Sequence, residues 1–349
     1  MDIWSRLNEP KPYFIADVGA NHDGKLERAL SLIELAKESG ADAVKFQNFF
    51  ADTIVSDHGF KSLPTMSHQK NWNKSVYDIY KGAELDLTWM ERLKAHCVKF
   101  DIDFFTSPYD IDVVDQVDTL VDFYKIGSGD ITWLEIQSKI ASKNKPVLIA
   151  TGASDMQDVK RAIRNISEVN QKIVLMQCNT NYTLDADKYK FVNLNVIETF
   201  RMEFPGLPLG LSDHTLSAST ALGAIAKGAF IIEKHFTDDN NRTGPDHPFA
   251  INPSNWSNMV KMGHEIAAAL GDGVKRVEEN EKEAQIVQQR SIRANRRLEK
   301  DEVITEADLS VLRPCSNDGV KPYEQNSLLG RKVATAIEFG EEITFKNTL

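Results

Sequence analysis

From Tyr13 onward the chain alternates two kinds of segment. Short apolar runs rich in Val, Ile and Phe close on polar residues, and each is followed by a stretch whose apolar positions recur at helical spacing. The runs are YFIADVG (13–19), DAVKFQN (42–48), DFFTSPY (103–109), DFYKIGS (122–128), PVLIATG (146–152), KIVLMQCN (172–179), PLGLSDH (208–214) and FIIEKHF (230–236). After the first run, LERALSLIELAKESG (26–40) places Leu26, Ala29, Leu32, Ile33 and Ala36 on one face and stops at Gly40. That spacing predicts an amphipathic helix. Strands that read as nearly continuous apolar runs are covered on both faces, so the pattern predicts parallel strands alternating with helices. Eight such units within about 250 residues have the size of a closed (β/α)8 TIM barrel, an α/β fold. A doubly wound sheet is the rival, but it has no reason to stop at eight, and no GxGxxG follows the first run.

The connection after the second run is unusually long. Residues 49–85 are polar and aromatic before the helical stretch DLTWMERLKAHCVKF begins, and long βα connections serve either as lids and substrate walls or as surface excursions. Past EIAAALGDG (265–273) the composition changes. VKRVEENEKEAQIVQQR (274–290) is charged and poor in aromatics, and the last 60 residues read as short strands and turns punctuated by Gly and Pro. The expected division is a barrel over 1–273, a linker over 274–289 and a small domain over 290–349. The core of that small domain is thin for its size, which favours packing against a partner.

Barrel enzymes work at the carboxyl ends of their strands, so the polar residues closing each run are the candidate site. They are Asp17 with Asn21 and His22, Lys45 with Gln47, Thr106 and Ser107, Lys125 with Ser128 and Asp130, Thr151, Asn179 to Tyr182, Asp213 with His214, and Glu233 with His235. Any one of them alone is more often structural. Two lysines, a serine and a threonine converging on one mouth suggest a phosphate or carboxylate cradle. His214 and His235 end consecutive runs, so their imidazoles can share one divalent ion, with positions left for water and substrate oxygens. With only two side-chain ligands the ion would be Mn²⁺ or Mg²⁺ rather than structural zinc, a Lewis acid for a substrate carbonyl. Two rim histidines satisfied by ordinary hydrogen bonds are the alternative.

Composition narrows the setting. The formal net charge is −10 with no Lys/Arg stripe, which argues against nucleic-acid binding. An anionic substrate must therefore be captured by local cations against the overall field. Cys97, Cys178 and Cys315 have neither CxxC spacing nor an even count, which fits reduced thiols in a cytoplasm. The N-terminus has no apolar signal region, and no run approaches the about 18 apolar residues of a membrane span.

IADVGANHDG, VKFQNF, YKIGSGD, LSDHT and EKHFTDDNNRTGPDH, in that order, resemble the sialic acid synthase family, makers of nine-carbon 2-keto-3-deoxy acids. RPCSNDGVKP and LLGRKVATAIEFGEEIT resemble that family's antifreeze-like domain, a β-clip (SAF) fold. The resemblance implies condensation of phosphoenolpyruvate with the open-chain aldehyde of an N-acetylated hexosamine, with release of phosphate. It implies that Lys45, Lys125, Ser128 and Thr151 hold phosphoenolpyruvate, that His214 and His235 bind the metal, and that Gln47, Tyr182 and Asp246 contact the sugar. It further implies a domain-swapped homodimer in which Arg313 reaches the partner's barrel.

The sequence departs from the family at three places around one pocket. Asp17 stands where IAEIG has glutamate, Asp130 where GSGE has glutamate, and CNTNYT (178–183) replaces CTxxYP, so that Thr180 or Asn181 takes the place of another polar side chain. Each aspartate shortens the catalytic carboxylate's reach by one methylene, roughly 1.5 Å, and a misplacement of about 1 Å can cost on the order of 100-fold in rate. A metal-dependent aldolase acting on pyruvate and an inactive sugar-binding paralogue are the competing readings. The first has no phosphate for the cradle to bind, and the second is motivated by Asp17 and Asp130.

Overall fold

The eight apolar runs form eight parallel strands closed into a barrel, with β1 paired to both β2 and β8. The structure, a computed structural model, describes residues 3–6, 11–63 and 74–349. The strands are β1 (Tyr13–Asp17), β2 (Ala43–Asn48), β3 (Asp103–Pro108), β4 (Tyr124–Ile126), β5 (Val147–Ala150), β6 (Ile173–Cys178), β7 (Leu209–Asp213) and β8 (Ile231–His235). Each lies inside one of the runs read from the sequence. Their burial explains why: every residue of β1, β5, β6, β7 and β8 is buried, so neither face needs polar positions below the mouth.

The helices bury the stripe that the spacing predicts. Leu26–Glu38 buries Ala29, Leu32, Ile33 and Ala36 and leaves Leu26 partly covered. Gly40 then turns the chain at φ +91°, a backbone region that glycine enters without a Cβ penalty. The long connection after β2 has more regular structure than its polarity suggested. It contains the short helices Ala51–Ile54, Asp57–Ser62 and Val76–Ala83, while residues 64–73 lie outside the described residues.

The chain divides into two compact units, Met1–Gly271 and Asp272–Leu349. The second contains an antiparallel pair, β9 (Ser291–Ala294) with β10 (Leu309–Leu312), and isolated antiparallel bridges such as Leu298 to Ile337 and Val333 to Thr348. Its core is small, built on Ile292, Leu298, Ile304, Leu328, Val333 and Ile337. The charged segment 274–289 falls in this unit, where its helix Lys282–Gln288 accepts a hydrogen bond at Ile286 O from Cys315 N, 3.0 Å. All three cysteines are buried and free, and among the described residues no helix is long and apolar enough to cross a membrane.

Candidate active site

A four-membered ionic chain forms the floor of the barrel mouth. Lys45 Nζ lies 2.7 Å from Asp17 Oδ2 and 3.4 Å from Glu233 Oε1, and Lys125 Nζ lies 2.6 Å from the same Glu233 oxygen. Strands β4 and β8 are opposite one another in the ring, so Lys125 and Glu233 can meet only inside the barrel. Ser212 Oγ donates to Glu233 Oε1 at 3.0 Å, and Gln47 Nε2 and Gly19 N donate to the two oxygens of Asp17, each at 3.0 Å. None of the four ions is more than 3% exposed. Buried charges persist only when paired and hydrogen-bonded, and here each is. Burial opposes the charge on Glu233, but Lys125 and Lys45 outweigh it and hold its carboxyl far below the usual range. Burial likewise opposes charge on Lys45, which Asp17 and Glu233 keep well above the ordinary lysine value, whereas burial prevails at Lys125 and lowers it. Glu233 Oε2 is buried with no hydrogen-bond partner.

The tips of β4, β5 and β6 crowd together beside this floor. Gly152 N donates to Ser128 Oγ at 3.0 Å, and a Cβ on Gly152 would lie 1.8 Å from Thr180 Oγ1 and 3.0 Å from Cys178 Sγ. Only glycine fits there. Thr151, expected in the cradle, donates its hydroxyl to Met176 O at 3.0 Å and so braces β5 against β6. Asn181 turns its Oδ1 to Thr183, accepting from the backbone N at 3.0 Å and from Oγ1 at 2.6 Å. Both side chains serve the wall, and the hydroxyl within reach of a lysine is that of Ser212, whose Oγ lies 3.5 Å from Lys125 Nζ. Asp130 stands in the short 3₁₀ turn Ser128–Asp130, half-buried, and burial pushes its carboxyl up to about 6.

His214 and His235 stand side by side with ring centroids 5.6 Å apart. His214 Nδ1 lies 3.1 Å from Asn179 O; as the donor to that carbonyl it leaves the Nε2 lone pair for a ligand. His235 has Nε2 3.5 Å from Asp17 Oδ2 and Nδ1 3.6 Å from Asp246 Oδ2, and Nδ1 is buried without a hydrogen-bond partner. Burial lowers the pKa of His235 and keeps it neutral, as a ligand must be. An unsatisfied buried imidazole nitrogen beside a second imidazole fits a divalent ion that completes its shell with water and substrate oxygens. Among the described residues no group of three or more His, Cys, Asp or Glu is arranged to hold a metal.

Asp246 reaches the histidines from the loop after β8. Its Oδ2 accepts from Ala20 N at 2.9 Å, and a Cβ on Gly19 would lie 2.5 Å from the same oxygen. Gly19 has φ +51°, so both conformation and space require glycine there. The loop is tied to the β1 tip a second time by fully buried His247, which takes Thr237 Oγ1 at Nδ1 (2.7 Å) and Asp23 Oδ1 at Nε2 (2.9 Å). His22, edge-on to Trp89, is driven down to about 4 by burial and is neutral. Tyr182 meets His214 edge-on, ring centroids 4.5 Å apart, and packs at a tilt against Phe249 at 5.1 Å. Arg313 belongs to the second unit and is exposed.

The barrel thus brings together Asp17, Lys45, Gln47, Lys125, Ser128, Asp130, Thr180, Tyr182, His214, His235 and Asp246 at one mouth. Sequence reading gave no role to Glu233, Ser212 or Cys178. Glu233 already stood among the strand-end residues, and strand alternation could have found Ser212, because it shares a face with His214. Cys178 Sγ lies 3.9 Å from His214 Nδ1, which outweighs the effect of burial and brings the thiol down to about 7.

The family model described as the NeuB family matches residues 32–275. The chain is 35% identical to an N,N'-diacetyllegionaminic acid synthase of Legionella pneumophila over 96% of this chain and 94% of that one. It is 34% identical to the enzyme of the same name from Campylobacter jejuni over 93% and 96%. Among solved structures, an N-acetylneuraminic acid synthetase from Leptospira borgpetersenii, in complex with citrate, superposes with a TM-score of 0.69 and 26% identity, covering 78% of this chain and 90% of that one.

Proposed function

The chain belongs to the NeuB family, and from that premise we propose that it is a nonulosonic acid synthase condensing phosphoenolpyruvate with the open-chain aldehyde of an N-acetylated hexosamine, releasing phosphate. The observation that carries this reading is the pair of buried ammonium groups, Lys45 and Lys125, beside the paired imidazoles of His214 and His235. Phosphoenolpyruvate presents a phosphate and a carboxylate, which need fixed cations and hydroxyl donors in a site shielded from water. Lys45, Lys125 and Ser128 supply them against a molecular charge of −10.

Mn²⁺ or Mg²⁺ held by His214 and His235 would polarise the acceptor's carbonyl. C3 of phosphoenolpyruvate forms the new bond to the aldehyde carbon, whose oxygen gains the electron pair and takes up a proton. The electron-poor C2 takes the oxygen of a water, which gives up a proton, and the C2–phosphate bond breaks as the keto group forms. Asp130, ionised above a pKa of about 6, is placed beside Ser128 to receive the water's proton. Asp17 is held on Lys45 and Gln47 and keeps the lysine aimed inward. Gln47, Thr180, Tyr182 and Asp246 face the acceptor. In a homodimer Arg313 of one subunit would complete the acceptor site of the other, its planar fork suiting an amide or hydroxyl pair.

The test is an inorganic phosphate assay with phosphoenolpyruvate, N-acetylated hexosamines and divalent metal. Acceptor-dependent phosphate release supports the synthase. Turnover of pyruvate in place of phosphoenolpyruvate would make the protein an aldolase, and sugar binding without turnover would make it an inactive relative.

A further inference from the structure

Glu233 and His235 point into the mouth from β8, and Ser212 and His214 from the end of β7. Strand alternation therefore turns Lys234 and Asp213 the other way, toward the helix Ser219–Ala226. The two are register partners on neighbouring strands, and each immediately precedes one of the histidines. Behind the mouth they form an ion pair, Lys234 Nζ 2.7 Å from Asp213 Oδ2, with side chains 1% and 2% exposed.

The rest of the pair's hydrogen bonds go to the turn that carries His214. Lys234 Nζ donates to Thr215 O at 2.5 Å and reaches Ser217 O at 3.4 Å. Asp213 accepts from Thr215 N at 2.9 Å, and from Thr220 Oγ1, on the helix, at 2.5 Å. A second buried lysine grips the same turn from the connection after β6. Lys188 donates to His214 O at 2.8 Å and to Thr183 O at 2.7 Å. The His214 ring itself is oriented by Asn179 O, 3.1 Å from Nδ1.

A buried ion pair is weak evidence for stability, because apolar residues of similar volume often hold a fold as well. What apolar packing lacks is direction. The ammonium of Lys234 fixes the β7 turn to β8 at named atoms, and a cation held by two imidazoles has no third side chain to absorb a change in their spacing.

We propose that Lys234 and Asp213 are positioning residues for the cation: by locking the turn after β7 to β8 they hold the imidazoles of His214 and His235 at their 5.6 Å separation. The inference rests on the reading of those imidazoles as the Mn²⁺ or Mg²⁺ site. Neither residue touches cation or substrate, so their effect is read first in metal affinity.

The test measures Mn²⁺ binding to metal-stripped protein from the electron paramagnetic resonance signal of the free ion. It compares the wild type, Lys234→Met, and Lys234→Met combined with Asp213→Asn, with urea unfolding and metal-free phosphoenolpyruvate calorimetry alongside. The single variant strands a buried carboxylate, whereas the double variant leaves no unpaired charge and should keep its fold. Both are expected to weaken Mn²⁺ binding by about ten- to 100-fold, the usual loss when a group supporting a metal ligand is removed. Phosphoenolpyruvate binding should be unchanged, and saturating Mn²⁺ should restore phosphate release to the double variant. A folded double variant that binds Mn²⁺ like the wild type overturns the inference and leaves the metal site standing. A double variant that does not fold also overturns it, because the pair then holds the barrel rather than the imidazoles. Equal losses of Mn²⁺ and phosphoenolpyruvate binding would do the same by reporting a generally disturbed mouth. A wild type that binds no Mn²⁺ overturns the metal reading and the inference with it.

Discussion

Lys125 and Glu233 stand on opposite strands of the barrel and meet at its centre, Nζ 2.6 Å from Oε1, with neither more than 3% exposed. The pair couples stability to the cradle. Lys125→Met strands a buried carboxylate whose nearest remaining cation, Lys45, is 3.4 Å away. The expected cost is about 3 kcal/mol, the lower end for breaking a buried pair, together with loss of phosphate release. Lys125→Met with Glu233→Gln should regain most of that stability in urea unfolding and none of the activity. Recovery of activity in the double variant would remove Lys125 from the cradle.

Asp130 makes a prediction of opposite sign for stability and for activity. Burial raises its folded-state pKa to about 6, above the ordinary carboxylate value of 3.8, so the fold favours the protonated form. Its contribution to stability is present at low pH and lost as pH rises through about 6. Asp130→Asn should therefore raise stability at pH 7–8 by roughly 2 kcal/mol, at about 1.4 per pKa unit and with some allowance for partial exposure, and leave it unchanged near pH 4. The same substitution should abolish the rising limb of kcat/KM centred near pH 6. An unaltered pH profile in Asp130→Asn would take the aspartate out of proton transfer.

Gly19 tests the placement of Asp246. A Cβ there meets Asp246 Oδ2 at 2.5 Å and His235 Nδ1 at 3.0 Å in a left-handed backbone, so Gly19→Ala must push the carboxylate or the ring aside. A displacement of about 1 Å predicts a loss on the order of 100-fold in kcat/KM for the acceptor, with phosphoenolpyruvate binding by calorimetry little changed. Loss of phosphoenolpyruvate binding instead would place Asp246 on the wrong substrate.

The barrel was legible because parallel strands buried on both faces leave long apolar runs, and because active-site residues must sit where those runs end. The ionic floor was only half legible. Lys45 and Lys125 stand out as charges closing apolar strands, but their counter-ions depend on which strands face each other across the ring, and only closure sets Lys125 against Glu233. Thr151 and Asn181 look like mouth residues by position, yet a hydroxyl one residue past a strand can turn to the neighbouring strand's carbonyl, and an asparagine before a threonine can close its own turn. The aromatic cluster of Phe49, Tyr80 and Tyr109 was hidden for another reason. Tyr80 sits on a short helix within a polar stretch, and it joins Phe49 and Tyr109 only through tertiary packing.

The partner-subunit role of Arg313 is open to complementation. If the arginine acts in trans, mixing Arg313→Ala chains with His235→Ala chains creates heterodimers with one site intact in both respects. Random exchange then restores about a quarter of wild-type specific activity, half the dimers having one working site of two. No recovery despite demonstrated subunit exchange means that the arginine serves its own barrel or none.

The central claim is that cation-binding imidazoles and a lysine cradle join phosphoenolpyruvate to a sugar aldehyde. The most direct measurement follows inorganic phosphate from phosphoenolpyruvate with and without a panel of N-acetylated hexosamines, in metal-stripped and Mn²⁺-restored protein, alongside His235→Ala. Release is expected only when acceptor and cation are both present, and none from His235→Ala although that variant keeps its fold by circular dichroism. Full activity of His235→Ala with added metal, or phosphate release that ignores the sugar, would contradict it.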